Sequence, residues 1–260
     1  MDIVPILFLS FVLGLALGSF FNILVWRLYA MEDLTGKNIC PSCRRGLWLR
    51  DLFPVISRYL LSGKCRFCEK PISAQYSIIE ALTGLTFFLV VLRQWNNLGV
   101  VEFQPYGLAR LLFMLFFASI LILVIASDAK YNLIYDIVVL PSVIVAFIWH
   151  FAIGGKILDM ILGAMVGAIF FGLQYLLSNG RWIGYGDVKL SILIGVLFGW
   201  LGTLFVIGIA YILGTAASLI WLLKREKTMK STLPLGVFLG IAGLYILIYG
   251  TRPLERLMHL

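Results

Sequence analysis

The stretch RWIGYGDVKLSILIGVLFGW (residues 181–200) joins a polar, glycine-containing segment to a long apolar run. The apolar run begins directly after Asp187, so an ionisable side chain stands where a membrane helix would start. Gly184 and Gly186 precede this acid and allow the backbone to turn sharply. The stretch therefore predicts a helix that enters a membrane with a carboxylate at its beginning.

Similar apolar runs recur along the 260 residues, of which 61% are hydrophobic and 13% are charged. Runs of about 20 residues can cross the ~30 Å hydrocarbon core of a bilayer. The composition thus predicts an all-α polytopic membrane protein in a lipid bilayer. The first run is too long, and its start too poor in basic residues, for a cleaved signal peptide. We predict about eight spans, near residues 4–26, 76–92, 107–127, 134–153, 157–177, 188–200, 203–223 and 233–249.

Lysine and arginine residues predict the orientation, because cytoplasmic loops carry an excess of them. With the N-terminus outside, segments 27–75, 128–133, 178–189 and 224–232 face the cytoplasm and hold 16 of the 21 basic residues. This bias predicts that both termini lie outside and that the long polar segment 27–75 is cytoplasmic. It also accounts for the net charge of +8, so a nucleic-acid partner is not expected.

Segment 27–75 contains all four cysteines, as CPSC (Cys40, Cys43) and CRFC (Cys65, Cys68) with 21 residues between the pairs. Two Cys-x-x-Cys pairs can present four thiolates to one tetrahedral zinc ion. Two disulfides are the alternative, and a cytoplasmic location disfavours them. A structural metal would supply folding energy to this segment. The predicted domains are a first transmembrane helix (1–26), a cytoplasmic four-cysteine zinc domain (27–75) and a transmembrane core (76–260).

Acidic residues at or inside the spans are candidates for function, because charge is costly there. A helix-start role, in which a carboxylate meets free amides and the helix dipole, accounts for Asp136 and Asp187. Asp159 also fits a structural helix-start charge, and Glu80 fits packing and function equally well. Asp128 closes a span, where the dipole is unfavourable to an anion, so it requires another explanation.

A carboxylate pair is one such explanation, since Asp128, Asp136 and Asp187 all fall at the cytoplasmic face of the predicted topology. Two acids close together in a low-dielectric site cannot both ionise. The ionised acid can take a proton from water while the protonated acid donates to an amide carbonyl, which hydrolyses a peptide bond without a metal. A transporter that uses the acids as a proton or cation relay remains an alternative. A non-catalytic scaffold that binds partners through the zinc segment is another.

Several motifs resemble the type IV prepilin peptidases, which are GxGD aspartyl proteases of the bacterial inner membrane. They occur in the order expected for that family and cover nearly the whole chain. Besides the two cysteine pairs they are GSFFNILVWRL (18–28), SDAKYNLIYDIVVLP (127–141), GYGDVK (184–189) and LPLGVFLGIAG (233–243).

The resemblance implies an endopeptidase that removes the short basic leader from prepilins or pseudopilins at the cytoplasmic membrane face. In many members the new amino terminus is then methylated with S-adenosylmethionine, although no glycine-rich nucleotide loop is visible here. The family usually has proline where Tyr135 precedes Asp136, so the turn into the fourth span can differ. The resemblance implies a catalytic pair (Asp128, Asp187), a zinc tetrad (Cys40, Cys43, Cys65, Cys68), supporting residues (Gly184, Gly186, Asp136, Lys189) and cofactor-binding candidates (Asn22, Arg27, Glu80).

Overall fold

A computed structural model describes residues 3–34, 36, 39–40, 42–46, 61–98, 105–224 and 233–257. Within these ranges all regular secondary structure is helical, which confirms the predicted all-α class. Two isolated antiparallel bridges accompany the cysteine pairs. The helices are α1 (Ile3–Ala30), α2 (Ala74–Leu98), α3 (Pro105–Tyr131), α4 (Asp136–Ala152), α5 (Ile157–Ser178), α6 (Tyr185–Leu223), α7 (Leu235–Tyr249) and α8 (Arg252–Leu257).

Five helices in the described part of the chain, α1, α2, α3, α5 and α6, are long and apolar enough to cross a membrane. Helices α4 and α7 are also apolar but contain only 17 and 15 residues. The chain is therefore a multi-pass membrane protein, as its composition predicts. The exact number of eight spans remains a prediction.

Helix α6 contains both the sixth and the seventh predicted spans and is broken at Gly199, near the end of the sixth. This residue has φ 68° and ψ −176°, a conformation that glycine adopts more readily than residues with a Cβ. The Asp159 carboxylate occupies the place where a Cβ on Gly199 would lie. It also accepts a hydrogen bond from the Trp200 N–H at 3.4 Å. Asp159 thus lies in the first turn of α5 and also caps the second half of α6.

The chain divides into two compact units, Met1–Ala126 and Ser127–Leu260. In the first unit α1 packs along α2 through glycines. A Cβ on Gly14 would lie 2.7 Å from the Thr83 carbonyl oxygen, and one on Gly18 would lie 2.7 Å from Glu80 Cα. Such small residues let two membrane helices approach closely, so this glycine pair serves packing between the protein's own helices.

In the second unit α6 packs against α5, α7 and α4. Gly163 of α5 faces Gly195 of α6, and a Cβ on Gly167 would lie 2.6 Å from the Ser191 carbonyl oxygen. Leu190 of α6 is fully buried. The first half of α6, which begins beside Asp187, is therefore held at the centre of this unit.

Replacing Gly167 with alanine should destabilise the second unit, because the new methyl group would meet backbone atoms of α6. Overpacking of this kind costs about 1–3 kcal/mol. Gly172→Ala is the matched control on the same helix, since a Cβ there would meet nothing within 4 Å. Thermal unfolding of the detergent-solubilised protein should give a lower midpoint for Gly167→Ala only. Equal midpoints for the two variants would contradict this packing.

Candidate active site and metal centre

Asp128 lies in the last turn of α3 and is 5% exposed. Its Oδ2 accepts a hydrogen bond from the Val237 N–H at 3.1 Å. Val237 belongs to the first turn of α7, where backbone N–H groups lack partners within the helix and favour an anion. The start of a second helix thus compensates the unfavourable position of Asp128 at the end of its own helix.

Gly236 makes this contact possible, and sequence reasoning missed it. A Cβ at this position would lie 2.8 Å from Asp128 Oδ2, which is closer than a carbon atom tolerates. The sequence feature that could have indicated Gly236 is Pro-Leu-Gly at residues 234–236, which places a glycine in the first turn of an apolar helix.

Asp187 is the third residue of α6 and is 9% exposed. Its Oδ2 accepts a hydrogen bond from the Gly184 N–H at 3.1 Å, and its own N–H donates to the Gly184 carbonyl oxygen at 3.1 Å. This reciprocal pattern fixes the start of the helix. The Asp187 carboxylate is also close enough to that of Asp128 for their charges to interact. The structure therefore brings the two predicted catalytic acids together within the second unit.

The connection between α3 and α4 lies beside both acids. Asn132 has a left-handed φ of 52°, and its N–H donates to the Asp128 carbonyl oxygen at 2.9 Å. This turn directs Ile134 towards the starts of α6 and α7. A Cβ on Gly186 would lie 2.9 Å from Ile134 Cβ, and a Cβ on Gly236 would lie 3.0 Å from Ile134 Cδ1.

Asp136 does not join the carboxylate pair directly, because it is ion-paired to Lys189. The Lys189 Nζ lies 2.5 Å and 2.6 Å from the two Asp136 carboxylate oxygens and 4.3 Å from the centre of the Tyr185 ring. Asp136 begins α4, whereas Tyr185 and Lys189 lie in the first turns of α6. The contact therefore ties the starts of these two helices together.

Tyr135 has φ −81° and ψ 125°, close to the φ that proline imposes. The backbone of this turn thus keeps a proline-compatible conformation although the chain carries tyrosine.

We therefore expect Tyr135→Pro to leave the protein folded and to change the free energy of unfolding by no more than about 1 kcal/mol. Val139→Pro is the contrasting variant, because the Val139 N–H donates to the Tyr135 carbonyl oxygen at 3.1 Å. Thermal unfolding of the detergent-solubilised protein should show a loss of stability only for Val139→Pro. A comparable loss for Tyr135→Pro would show that the tyrosine side chain itself is required.

The four cysteines are free thiols whose sulfur atoms all lie within 4.8 Å of one another. A tetrahedral site with Zn–S bonds of about 2.3 Å needs sulfurs about 3.8 Å apart. The cluster can therefore bind a metal ion, which supports the metal interpretation over two disulfides.

The two cysteine pairs have the same local backbone. The Arg44 N–H donates to the Cys40 carbonyl oxygen at 2.9 Å, and the Glu69 N–H donates to that of Cys65 at 3.0 Å. Arg44 and Glu69 both have a left-handed φ of 56°. The two turns are thus equivalent halves of one site, in which the first cysteine of each half is buried.

The two buried thiols differ in acidity. Burial raises the pKa of the Cys40 thiol to about 11. Burial also raises the pKa of Cys65, but hydrogen bonds from the Phe67 and Cys68 amides and from the Cys40 and Cys68 thiols outweigh it and lower that pKa to about 7. A bound cation would favour the thiolate form of every ligand.

The three cofactor-binding candidates are buried polar residues of α1 and α2 in the first unit. The Asn22 side-chain amide donates to the Tyr76 carbonyl oxygen at 2.9 Å. The Arg27 guanidinium donates to the carbonyl oxygens of Leu34 and Gly36. Glu80 lies where α2 contacts Gly18. Asn22 and Glu80 therefore share the α1–α2 seam, whereas Arg27 holds the chain that follows α1.

Two family profiles match the chain. The bacterial peptidase A24 N-terminal domain matches residues 12–94, and the type IV leader peptidase family matches residues 115–219. No solved structure matches the chain significantly.

Several curated relatives, each named prepilin leader peptidase/N-methyltransferase, align with most of the chain. The relative from Dickeya chrysanthemi is 30% identical, over 89% of this chain and 88% of its own length. The relative from Klebsiella pneumoniae is 34% identical, over 75% of this chain and 84% of its own. The relative from Aeromonas hydrophila is 26% identical, over 93% of this chain and 90% of its own.

Proposed function

The chain belongs to the type IV leader peptidase family, and from that premise we propose that it cleaves the short basic leader from type IV prepilins or pseudopilins. The relatives carry the name of this activity, and the buried carboxylate pair supplies a chemistry for it. That pair is the observation on which the proposal depends. The transporter alternative gains no support, since the matched families are peptidases and the two buried acids interact at one site.

Asp128 and Asp187 are the proposed catalytic residues. One carboxylate takes a proton from the attacking water, and the other, protonated, donates to the oxygen of the scissile carbonyl. The acid that took the water proton then donates it to the leaving nitrogen, while the other carboxylate takes a proton from a gem-diol hydroxyl as the C–N bond breaks and the new carboxylic acid forms, so both acids return to their starting states. Each carboxylate accepts a hydrogen bond from a backbone N–H group at the start of a helix, so its position does not depend on a flexible side chain.

The supporting residues keep the two helix starts in place. Gly184 donates its N–H to Asp187, and Gly186 leaves room for the α3–α4 connection. The Asp136–Lys189 ion pair links α4 to α6 outside the carboxylate pair. We propose that these four residues position the site and take no part in proton transfer.

We propose that the cysteine tetrad holds one structural zinc ion. Its four sulfurs would complete a tetrahedral coordination sphere and leave no position for a substrate water. The bound zinc would stabilise the fold of the polar segment, while the peptidase chemistry would be carried out by the carboxylates. The mutual distances of the sulfurs and the two equivalent turns support this assignment.

We further propose that the chain methylates the new amino terminus with S-adenosylmethionine, using Asn22, Arg27 and Glu80. The names of the relatives and the burial of three polar side chains in one helix pair support this activity. Cofactor binding by Asn22 or Arg27 would compete with their bonds to backbone carbonyls. Glu80 is the first residue to test, because a carboxylic acid buried inside a membrane helix is costly and points to a function.

The proposed setting is the bacterial inner membrane, with both termini outside and the zinc segment in the cytoplasm. The excess of basic residues in the predicted cytoplasmic segments supports this orientation. The proposed division into a first helix (1–26), a zinc domain (27–75) and a peptidase core (76–260) follows the same reasoning.

The function is tested by incubating the purified, lipid-reconstituted protein with a prepilin that retains its leader, with and without labelled S-adenosylmethionine. Mass spectrometry should find the mature chain and, with the cofactor, one added methyl group at its amino terminus. Glu80→Gln should reduce methylation without preventing cleavage. A prepilin that stays intact with the wild-type protein would contradict the peptidase function, and a product with an unmodified terminus would contradict methylation alone.

A further inference from the structure

Ile134 occupies the space between the helix starts that hold the two acids. Its Cβ, Cγ1 and Cδ1 all face Gly186, the residue before Asp187, and its Cδ1 also faces Gly236, the residue against which Asp128 Oδ2 packs. One side chain thus contacts two glycines, neither of which has room for a Cβ.

The backbone holds this side chain in place. The left-handed residue Asn132 ends α3 with a hydrogen bond to the Asp128 carbonyl oxygen. Three residues later Tyr135 accepts hydrogen bonds from Val138 and Val139 at the start of α4. Ile134 therefore stands between two fixed turns, and its branched Cβ restricts χ1 further.

We propose that Ile134 is a positioning residue that sets the separation of the Asp128 and Asp187 carboxylates. The inference rests on the proposed peptidase function and adds a residue to its machinery. The start of α6 packs along the side chain from Cβ to Cδ1, and the start of α7 packs against Cδ1. A shorter side chain removes the contact with α7, while a side chain branched at Cγ moves the bulk away from α6.

The expected consequence is a slower chemical step with unchanged substrate binding. Both carboxylates must reach one water and one carbonyl, and a displacement of about 1 Å can cost about a hundredfold in rate. The charge interaction between the acids also depends on their separation. A change of spacing should therefore alter the width of the pH–rate profile as well as kcat.

The decisive variant is Ile134→Val, which removes only Cδ1, the atom that lies beside both Gly186 and Gly236. We expect kcat for leader cleavage to fall about tenfold or more, with KM within about twofold and the thermal midpoint close to wild type. Ile134→Leu should change the width of the pH–rate profile. Ile137→Ala is the matched control, because this isoleucine lies three residues later and is 66% exposed; it should keep wild-type kinetics.

Retention of wild-type kcat and an unchanged pH–rate profile in both Ile134 variants would overturn the inference. So would a loss of activity that matches a loss of folded protein, since that result would assign Ile134 to packing alone. A wild-type protein that leaves prepilin intact would instead overturn the proposed function, so the two failures are distinguishable.

Discussion

Asp187→Asn is expected to lower the rate of leader cleavage by about a thousandfold or more, and Asp128→Asn should do the same. A positioned general acid or base contributes about 10²–10⁴ to a rate, and neither amide can exchange a proton in its place. The substitutions preserve shape and hydrogen-bond acceptors. The amide oxygen introduced at position 187 can still accept from Gly184, and the one introduced at position 128 can still accept from Val237, so both proteins should fold.

The measurement is single-turnover cleavage of a purified prepilin, quantified by gel or mass spectrometry at saturating enzyme. The Asp128→Asn/Asp187→Asn double variant should be no slower than either single variant, because residues that act as a unit are not additive. Asp159→Asn is the control: its carboxylate caps the second half of α6, and an amide oxygen can still accept that bond. If Asp187→Asn kept more than about a tenth of the wild-type rate, this acid would not belong to the chemistry.

Serine in place of Cys40 and Cys65 should abolish metal binding and expose the polar segment to proteases. These two cysteines are the buried members of the tetrad, one from each turn. Structural zinc supplies about 10–16 kcal/mol of apparent binding free energy in small zinc-dependent peptides, so its loss should unfold the two turns that carry the cysteine pairs.

Metal analysis of the purified protein should find about one zinc ion per chain in the wild type and almost none in the double variant. Limited proteolysis should cut the variant within residues 27–75 under conditions that leave the wild type intact. Ser42→Ala lies in the same turn, is exposed and supplies no ligand, so it should retain the metal. An unchanged zinc content after the cysteine substitutions would contradict the assignment.

Much of the fold follows from the sequence because hydrocarbon imposes long apolar runs, and these runs mark the helices directly. The cysteine cluster was equally predictable, since the Cys-x-x-Cys pairs carry their own geometry. Asp128 could be singled out because an acid at the end of a helix is unfavourable. The backbone N–H group that donates to its carboxylate could not be identified, because Val237 lies 109 residues away in the chain.

Gly236 and Ile134 could not be identified from the sequence for the same reason: their roles depend on contacts with residues that are distant in the chain. Gly236 is one of 25 glycines, and only its distance to Asp128 distinguishes it from a packing residue. Ile134 is one apolar residue among many, and its contacts with Gly186 and Gly236 arise only when three segments meet. The interruption of α6 at Gly199 lies next to the predicted boundary between the sixth and seventh spans, but its capping by Asp159 depends on a contact with a residue 40 positions earlier in the chain.

The shortness of α4 has a consequence for the surrounding lipid. Its 17 residues rise about 26 Å, less than the ~30 Å of a typical hydrocarbon core, and its Ile137, Ile144 and Ile148 side chains are exposed. Hydrophobic mismatch of this kind thins the adjacent bilayer, so we expect headgroups and their hydration water to lie closer to the start of α4, where Asp136 is paired with Lys189 of α6. Water for the reaction would then reach the site through this locally thinned part of the bilayer.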